Sequence, residues 1–389
     1  MKQQFIWLLI IVIWGCTLQK NEIPKMLQKL EKLTVYQANT ETKSTISFQK
    51  DAIYGDSKKT LIGKMGDLAV DSSGRVFIAD VEKQCVHAFA ADGHFITRLG
   101  RKGKGPGEFS YIKKLQIRNN YLYVSDANYG VGELSLFTLD SLTLDKTIAP
   151  ARNRNEYKPL EKAYPGVSEI YVRDNSTFLA EFISHSFKPT KKWQNVEMKG
   201  LLYFLDSRGR IESNKLIEFK EEIRTYHLGL SSIEPFFGNA FTVLSSDNTI
   251  YWAGPEYLLI KEYSPEGTYQ QAFYYSLKEI PLTKESAVKA GVNDYYIQNM
   301  KNMDLPPTWP VLTDMKMDDQ DRFWIATTVE DMNVYQWWVL EKNGEVITKF
   351  DWPRAKPIEE VRNGYIYTRE TDERGMETIV KYEITLDEG

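Results

Sequence analysis

The chain has 389 residues, with 49 Lys and Arg against 53 Asp and Glu and a net charge of −4. That near-balance gives no reason to expect a nucleic-acid partner, which usually calls for a basic surface. Hydrophobic residues make up 42% and aromatics 13%. This is ample core material with a bias toward strand formers, and closed all-β folds often exceed the usual length of about 150 residues per domain.

Residues 1–16 read MKQQFIWLLIIVIWGC. Lys2 supplies a positive start, and an apolar run fills 5–14. The run is shorter than the roughly 20 residues a helix needs to cross a bilayer, and has the length of a signal-peptide core. It ends Ile13-Trp14-Gly15-Cys16, which resembles a lipobox, with a small residue before the cysteine and a bulkier Trp14 than the pattern normally carries. Residues 1–15 are therefore expected to be a lipoprotein signal peptide, and Cys16 the lipid attachment site. Thr17, rather than Asp, follows the cysteine. The expectation is export and lipid anchoring to the cell envelope, at the outer membrane. With Cys16 so used, Cys85 has no partner and a disulfide framework is excluded. Cys85 lies in the strand-like CVHAF and reads as a small buried hydrophobe.

Residues 16–41 are a polar leader. Ile23, Met26, Leu27, Leu30 and Leu33 fall near helical spacing. They predict either a short amphipathic helix on a tether or a segment packed loosely on the domain.

From residue 42 onward one unit recurs: strand, tight turn, strand, loop, strand, tight turn, strand. The first hairpins are DLAVDSSGRVFIAD (67–80), KLQIRNNYLYVSD (114–126), EIYVRDNSTFLAEF (169–182), FTVLSSDNTIYWAG (241–254), DMKMDDQDRFWIAT (314–327) and IEEVRNGYIYTRE (358–370). Each centre is a cluster of Asp, Asn, Ser or Gly, which accept turn dihedrals. Second hairpins follow at 86–99, 134–148, 201–217, 259–273 and 338–350. Gly93, Gly209, Gly267 and Gly344 stand where such turns need a positive φ. The sixth unit stops after one further strand, ETIVKYEI (377–384). TKSTISFQK (42–50) alternates suitably and is expected to pair beside it, closing a ring, since open edges invite aggregation. The predicted fold is all-β: a six-bladed β-propeller of four-stranded antiparallel blades over 42–389. A short helical insert is expected between blades four and five.

The stretch GDLAVDSSGRVFIAD…VHAFAADGHFITRLGRKGKGPGEF (66–109) resembles an NHL-type propeller repeat. The whole chain resembles the bacterial six-bladed β-propeller lipoproteins, through Thr34-Val35-Tyr36, the Thr-Ile-Ser-Phe of 45–48 and the Gly-rich linker 100–109. The resemblance covers 30–150 strongly and the later blades mainly through their turns. It implies the fold and the envelope location more than any activity.

Loop lengths predict two unlike faces. Every A–B and C–D turn reads as short. The B–C segment of blade three (183–200) and the linkers at 149–167, 218–239 and 275–312 read as long, the last with a helix-like patch at 282–303 capped by Thr283. Long loops in a compact domain usually have functional causes, so that face is the expected binding face. Its candidates are Arg101, Lys104, His185, Trp193, His227, Tyr295, Tyr296 and Trp309. The aromatics could anchor a peptide, glycan or envelope protein. Arg101, Lys102 and Lys104 could cradle an anion, although an interblade turn with solvated charges is the plainer reading. Asp80 and Asp126 end second strands, where an Asp commonly fixes the adjoining loop.

No histidine shows a metal-ligand spacing, and no nucleophile elbow or HExxH occurs. No catalytic or metal residue is assigned and no cofactor is expected. The leading reading is a non-catalytic binding or scaffold module. The alternative is a calcium-type hydrolase or lyase at the channel mouth, using carboxylates such as Glu169, Asp314 and Glu359, in the way that some six-bladed propellers are calcium-dependent lactonases.

Overall fold

The structure is a computed structural model that describes residues 23–37, 39–56, 61–128, 131–148, 167–173, 177–184, 194–227 and 230–388. Six blade sheets follow one another along the chain, each built on an antiparallel meander of strands A to D, and Arg101–Lys102 pairs with Glu108–Phe109 in a small seventh sheet. Blade 1 is Met65–Val70, Val76–Asp80, Cys85–Phe89 and Phe95–Leu99. Blade 2 is Ile112–Arg118, Tyr121–Asn128, Val131–Thr138 and Leu144–Ile148. Blade 3 is Val167–Val172, Phe178–Ser184, Gln194–Leu205 and Ile217–His227, with Leu230–Ile233 added at its edge. Blade 4 is Phe241–Leu244, Ile250–Ala253, Leu258–Tyr263 and Tyr269–Tyr275. Blade 5 is Leu312–Met317, Phe323–Thr328, Val334–Leu340 and Val346–Pro353. Blade 6 takes Ile358–Arg362, Tyr365–Thr371 and Glu377–Glu388 from the end of the chain, and Ser44–Tyr54 from its start.

That N-terminal strand runs antiparallel to Glu377–Glu388, with Ser44 opposite Glu388 and Tyr54 opposite Ile379. A strand with half its faces apolar needs a partner edge, and the unfinished sixth unit offers one.

The core lies between blades rather than within them. Buried clusters join blade 1 to 2, 2 to 3, 3 to 4, 4 to 5, 5 to 6 and 6 to 1. Strand B of blade 1, VFIAD, is buried at every position because both faces of a blade meet a neighbour. Each large side chain so covered contributes roughly 1.5–3 kcal/mol.

The leader contains no amphipathic α-helix among its described residues. Leu27–Lys29 make one 3-10 turn, and Leu33–Tyr36 form a strand parallel to the outer strand of blade 4. Leu27 packs with Leu259, Ala272 and Tyr274, and Ile23, Leu30 and Leu33 join them. The same apolar residues that suggested a helix instead cover the edge of a sheet.

Two expected long loops are also strand. Residues 194–200 extend strand C of blade 3, and 217–227 its strand D, paired from Gln194–Tyr226 to Leu202–Ile217. The burial of Val196 and Met198 against exposed Glu197 and Lys199 is strand alternation. On the opposite face the C–D connection of blade 3, 206–216, is long rather than tight, held by a bridge between Leu205 and Ile211. The 149–166 part of the second linker lies outside the described residues.

The helical insert contains two helices, α1 (Lys284–Lys289) and α2 (Asp294–Asn299). Thr283 Oγ1 accepts from Ser286 N at 3.0 Å, and Ser286 Oγ accepts from Thr283 N at 2.9 Å. This reciprocal cap satisfies donors that a helix start leaves open. Gly291, at φ +70°, turns the chain between the helices.

Candidate functional site: the central channel

The first strands of the six blades line a central cavity of about 490 Å3. A repeated device sets what they present. In blades 1, 2, 3, 5 and 6 the pairing of strand A with strand B slips near the start of strand A. Such a bulge re-aims side chains and breaks strict alternation. Consecutive residues therefore both reach the channel, as Ser168 with Glu169 and Glu359 with Glu360 do.

The result is a densely charged wall. Lys113 and Lys114 both meet Glu169, at 3.5 and 3.3 Å. Lys316 pairs with Asp314 at 2.9 Å, and Arg369 Nε with Glu359 at 2.9 Å. Asp67 accepts from Leu115 N at 2.8 Å, linking blade 1 to blade 2. Gln116 links blade 2 to blade 3, donating to Ile170 O at 2.6 Å and accepting from Val172 N at 3.0 Å.

Burial decides the charge state of several of these groups. Burial pushes Glu360 up to about 7, against the pull of Arg362 and Lys316. It raises Asp67 and Glu359 as well. Burial works against the Lys316 ammonium, but Asp314 and its neighbours outweigh it and hold the amine charged. Glu181 and Glu221 line the channel from strands B and D of blade 3, close enough for each to shift the other. Burial raises both above the usual carboxylate range, helped by the Glu169 charge at Glu181 and by the Glu181 charge at Glu221, so the pair keeps a proton near neutrality. Tyr171 Oη donates to Glu181 Oε2 at 3.4 Å.

The tight-turn end of the channel is bridged. Arg118, the last residue of strand A in blade 2, donates to Ser246 O at 2.9 Å and to Asn248 Oδ1 at 2.7 Å in blade 4. At the other end Asn239 lines the channel and also a groove of about 450 Å3, formed by Ile233–Pro235 and by Ala290–Asn293 with Tyr296.

Of the residues proposed from sequence, Cys16, His185 and Trp193 lie outside the described residues. His227 ends strand D of blade 3. Arg101 and Lys104 do not form an open cradle. Glu108 fills that loop, accepting from Lys104 N at 3.1 Å and Gly105 N at 3.0 Å, with Arg101 Nη2 at 2.8 Å. The backbone donors are spent on the chain's own carboxylate. Trp309 is buried in the insert against Phe236, its Nε1 donating to Ser286 Oγ at 2.9 Å. Tyr296 packs on that small core, while Tyr295 is exposed. Asp80 and Asp126 fix loops: Asp80 accepts from Gly63 and Lys83 N, both at 2.9 Å, and Asp126 from Ser110 N at 2.8 Å and Tyr111 N at 2.6 Å.

Glu169 and Glu359 line the channel, while Asp314 lies behind the channel-lining Lys316, and each of the three already faces a lysine or arginine. That donor set does not fit a calcium cage, which needs six to eight oxygens free of competing cations. The Glu181–Glu221 pair was missed. Glu221 lay in a stretch read as linker, and only the strand pairing brings it beside Glu181.

The chain is a six-bladed β-propeller. Residues 56–155 match the model of a family described as a 6-bladed beta-propeller. A Bacteroides fragilis protein to which export is ascribed is similar over 92% of this chain and 100% of its own, at 12% identity and a TM-score of 0.51. A member of the duf4221 family from Bacteroides vulgatus is similar over 90% of this chain and 100% of its own, at 9% identity and a TM-score of 0.53. At these identities the likeness is one of fold. No curated protein sequence matches the propeller. No helix among the described residues is long and apolar enough to cross a membrane.

Proposed function

We propose that the propeller is a cell-envelope binding module, lipid-anchored through Cys16 at the outer membrane, that takes a small polar ligand into its channel. The observation that carries this reading is the charged channel with Arg118 across its tight-turn end. A ligand then enters from the face of B–C loops and interblade linkers, past Asn239 and the helical insert. The partners consistent with a wall of paired acids and bases are a peptide or a glycan carrying charged groups, or an envelope protein presenting one. The pairing of 44–54 with the last strand serves as the closure that holds the six blades around this channel.

Ligand stabilisation tests the reading. Amino acids, short peptides and charged sugars are screened by thermal shift, and a hit is repeated on Asn239→Trp, which places an indole at the mouth. Asn239 is exposed, so the fold tolerates the change. A shift in the unmodified chain that disappears in the variant supports the channel. A shift that persists in full places the ligand elsewhere.

A second reading has one specific observation in its favour. Glu181 and Glu221 are neighbouring channel carboxylates whose pKa values burial raises, and such perturbed pairs are the starting point of general acid–base chemistry. On this reading the propeller is a hydrolase or lyase working in the same channel. Turnover of a bound ligand that Glu221→Gln abolishes, with binding retained, would establish it.

A further inference from the structure

We infer that Asp80, Cys85 and His87 form a binding site for a zinc-class divalent cation inside blade 1, separate from the channel. Strand register brings the three together. Asp80 ends strand B and lies opposite Cys85 at the start of strand C, and His87 is two residues further on. Residues i and i+2 share a face of a strand, so the thiol and imidazole stand side by side with the carboxylate across from them. Asp80 Oδ2 is 3.4 Å from His87 Nε2, and Cys85 Sγ is 3.6 Å from the same nitrogen. All three donor atoms lie within 4.8 Å of one another.

These spacings are those of a coordination polyhedron. Zinc bonds of about 2.0–2.1 Å to nitrogen and oxygen and about 2.3 Å to sulfur give tetrahedral edges of roughly 3.3 Å between N and O and 3.5 Å between N and S. Two of the three edges already match, and a cation between the atoms would need only to draw the Asp80 carboxylate and the Cys85 thiol together, since all three donors lie within 4.8 Å. The mixed S, N and O set favours zinc over calcium or magnesium, which prefer oxygen alone. A solvent molecule would take the fourth position.

The surroundings are pre-arranged. Asp80 is held by the Gly63, Glu82 and Lys83 backbone N–H groups. All three side chains are at least 95% buried, with exposures of 0%, 1% and 5%. Burial keeps the His87 imidazole neutral, as a ligand must be, and pushes the Cys85 thiol up to about 11, so the thiol arrives protonated. When the sulfur–metal bond forms, the thiol proton passes to solvent and the other two ligands keep their charge states. Two cations face the cluster. Lys83 Nζ is 3.5 Å from Asp80 Oδ2 and also donates to Leu61 O, and Arg98 is the cross-strand partner of His87. The Lys83 side chain is 41% exposed and can withdraw into water as a metal enters.

The test uses the full chain, stripped by a chelator and titrated with cobalt(II) and then zinc(II) alone. The expected result is one equivalent of cobalt with a thiolate-to-metal charge-transfer band and visible bands of tetrahedral intensity, both quenched by zinc. Cys85→Ser removes the charge-transfer band, and it and His87→Gln each weaken zinc binding at least about 100-fold. Each variant must keep the circular dichroism and melting temperature of the unmodified chain in chelator. Asp80 is not substituted, because it also fixes the B–C loop. A natively folded chain without the band, or a band undiminished in Cys85→Ser, overturns the site.

Discussion

Arg118 Nη2 and Asn248 Oδ1 meet at 2.7 Å from blades that are not neighbours, so one side chain reaches across the tight-turn end of the channel. Hydrogen bonds to charged groups contribute about 1.5–3 kcal/mol. Arg118→Ala should therefore lower stability by about 1–3 kcal/mol. It should also speed amide exchange along the first strands of blades 2 and 4 more than along their outer strands. Urea unfolding and hydrogen exchange check both parts. An unchanged exchange pattern would mean that the bridge does not shut that end.

The buried carboxyls give stability a pH dependence whose sign can be worked out. Glu360, Glu181 and Glu221 have folded pKa values raised by burial above the ordinary value of 4.5. The folded chain holds protons there that the unfolded chain has shed. Their contribution to stability is present below that value. It is lost as pH rises, through about 7 for Glu360 and further for the Glu181–Glu221 pair. The maximum slope is about 1.4 kcal/mol per pH unit for each proton. Relative to the unmodified chain, Glu221→Gln should gain on the order of 2 kcal/mol between mildly acid and mildly alkaline solution. Urea midpoints for both chains across that span provide the measurement, and parallel curves would contradict it.

Tyr54 locks the N-terminal strand into the junction between blades 6 and 1. It is fully buried, its hydroxyl donates to Ala91 O at 2.7 Å, and its ring meets Phe89 and Tyr367. Tyr54→Phe removes one hydrogen bond and should cost about 1 kcal/mol. Tyr54→Ala leaves a cavity and should cost about 3–5 kcal/mol. Equal melting temperatures for the two variants would show that the junction relaxes around the missing ring.

Anchoring has a direct test. Cys16→Ser should move the protein from the membrane fraction to the soluble one, because acyl chains supply most of the membrane affinity. Unchanged partitioning after cell fractionation would remove the lipid from the account.

The ring of hairpins was legible because a turn leaves local marks. Asp71 and Asp318, for example, each accept from backbone N–H groups of their own turn, and sequence shows such residues directly. The partner of Ser44–Tyr54 was legible from counting strands. The channel was not, because it is made by register. Glu169 was visible as an acid, but Lys113 reaches it only through a bulge, and Glu221 meets Glu181 only once 194–227 folds as a hairpin rather than a loop. The Gly-rich linker is the interblade turn of the plainer reading, closed on Glu108. Its glycines make room for Glu108, since a Cβ on Gly103 would lie 2.0 Å from that carboxylate.

The leader touches three blades in succession. Leu33–Tyr36 lies along blade 4, Tyr36 Oη donates to Asn343 O and Lys43 pairs with Glu345 in blade 5, and Ser44 begins the outer strand of blade 6. Traction applied through residues before Ile23 would load the packing of Ile23, Leu27 and Leu30 on blade 4 and then the parallel pairing of Leu33–Tyr36. Several hydrogen bonds would resist together in shear, and the outer strand of blade 6 would bear no force until they failed. Were the chain held by the proposed lipid at Cys16, the leader would act as a strain relief between that anchor and the ring.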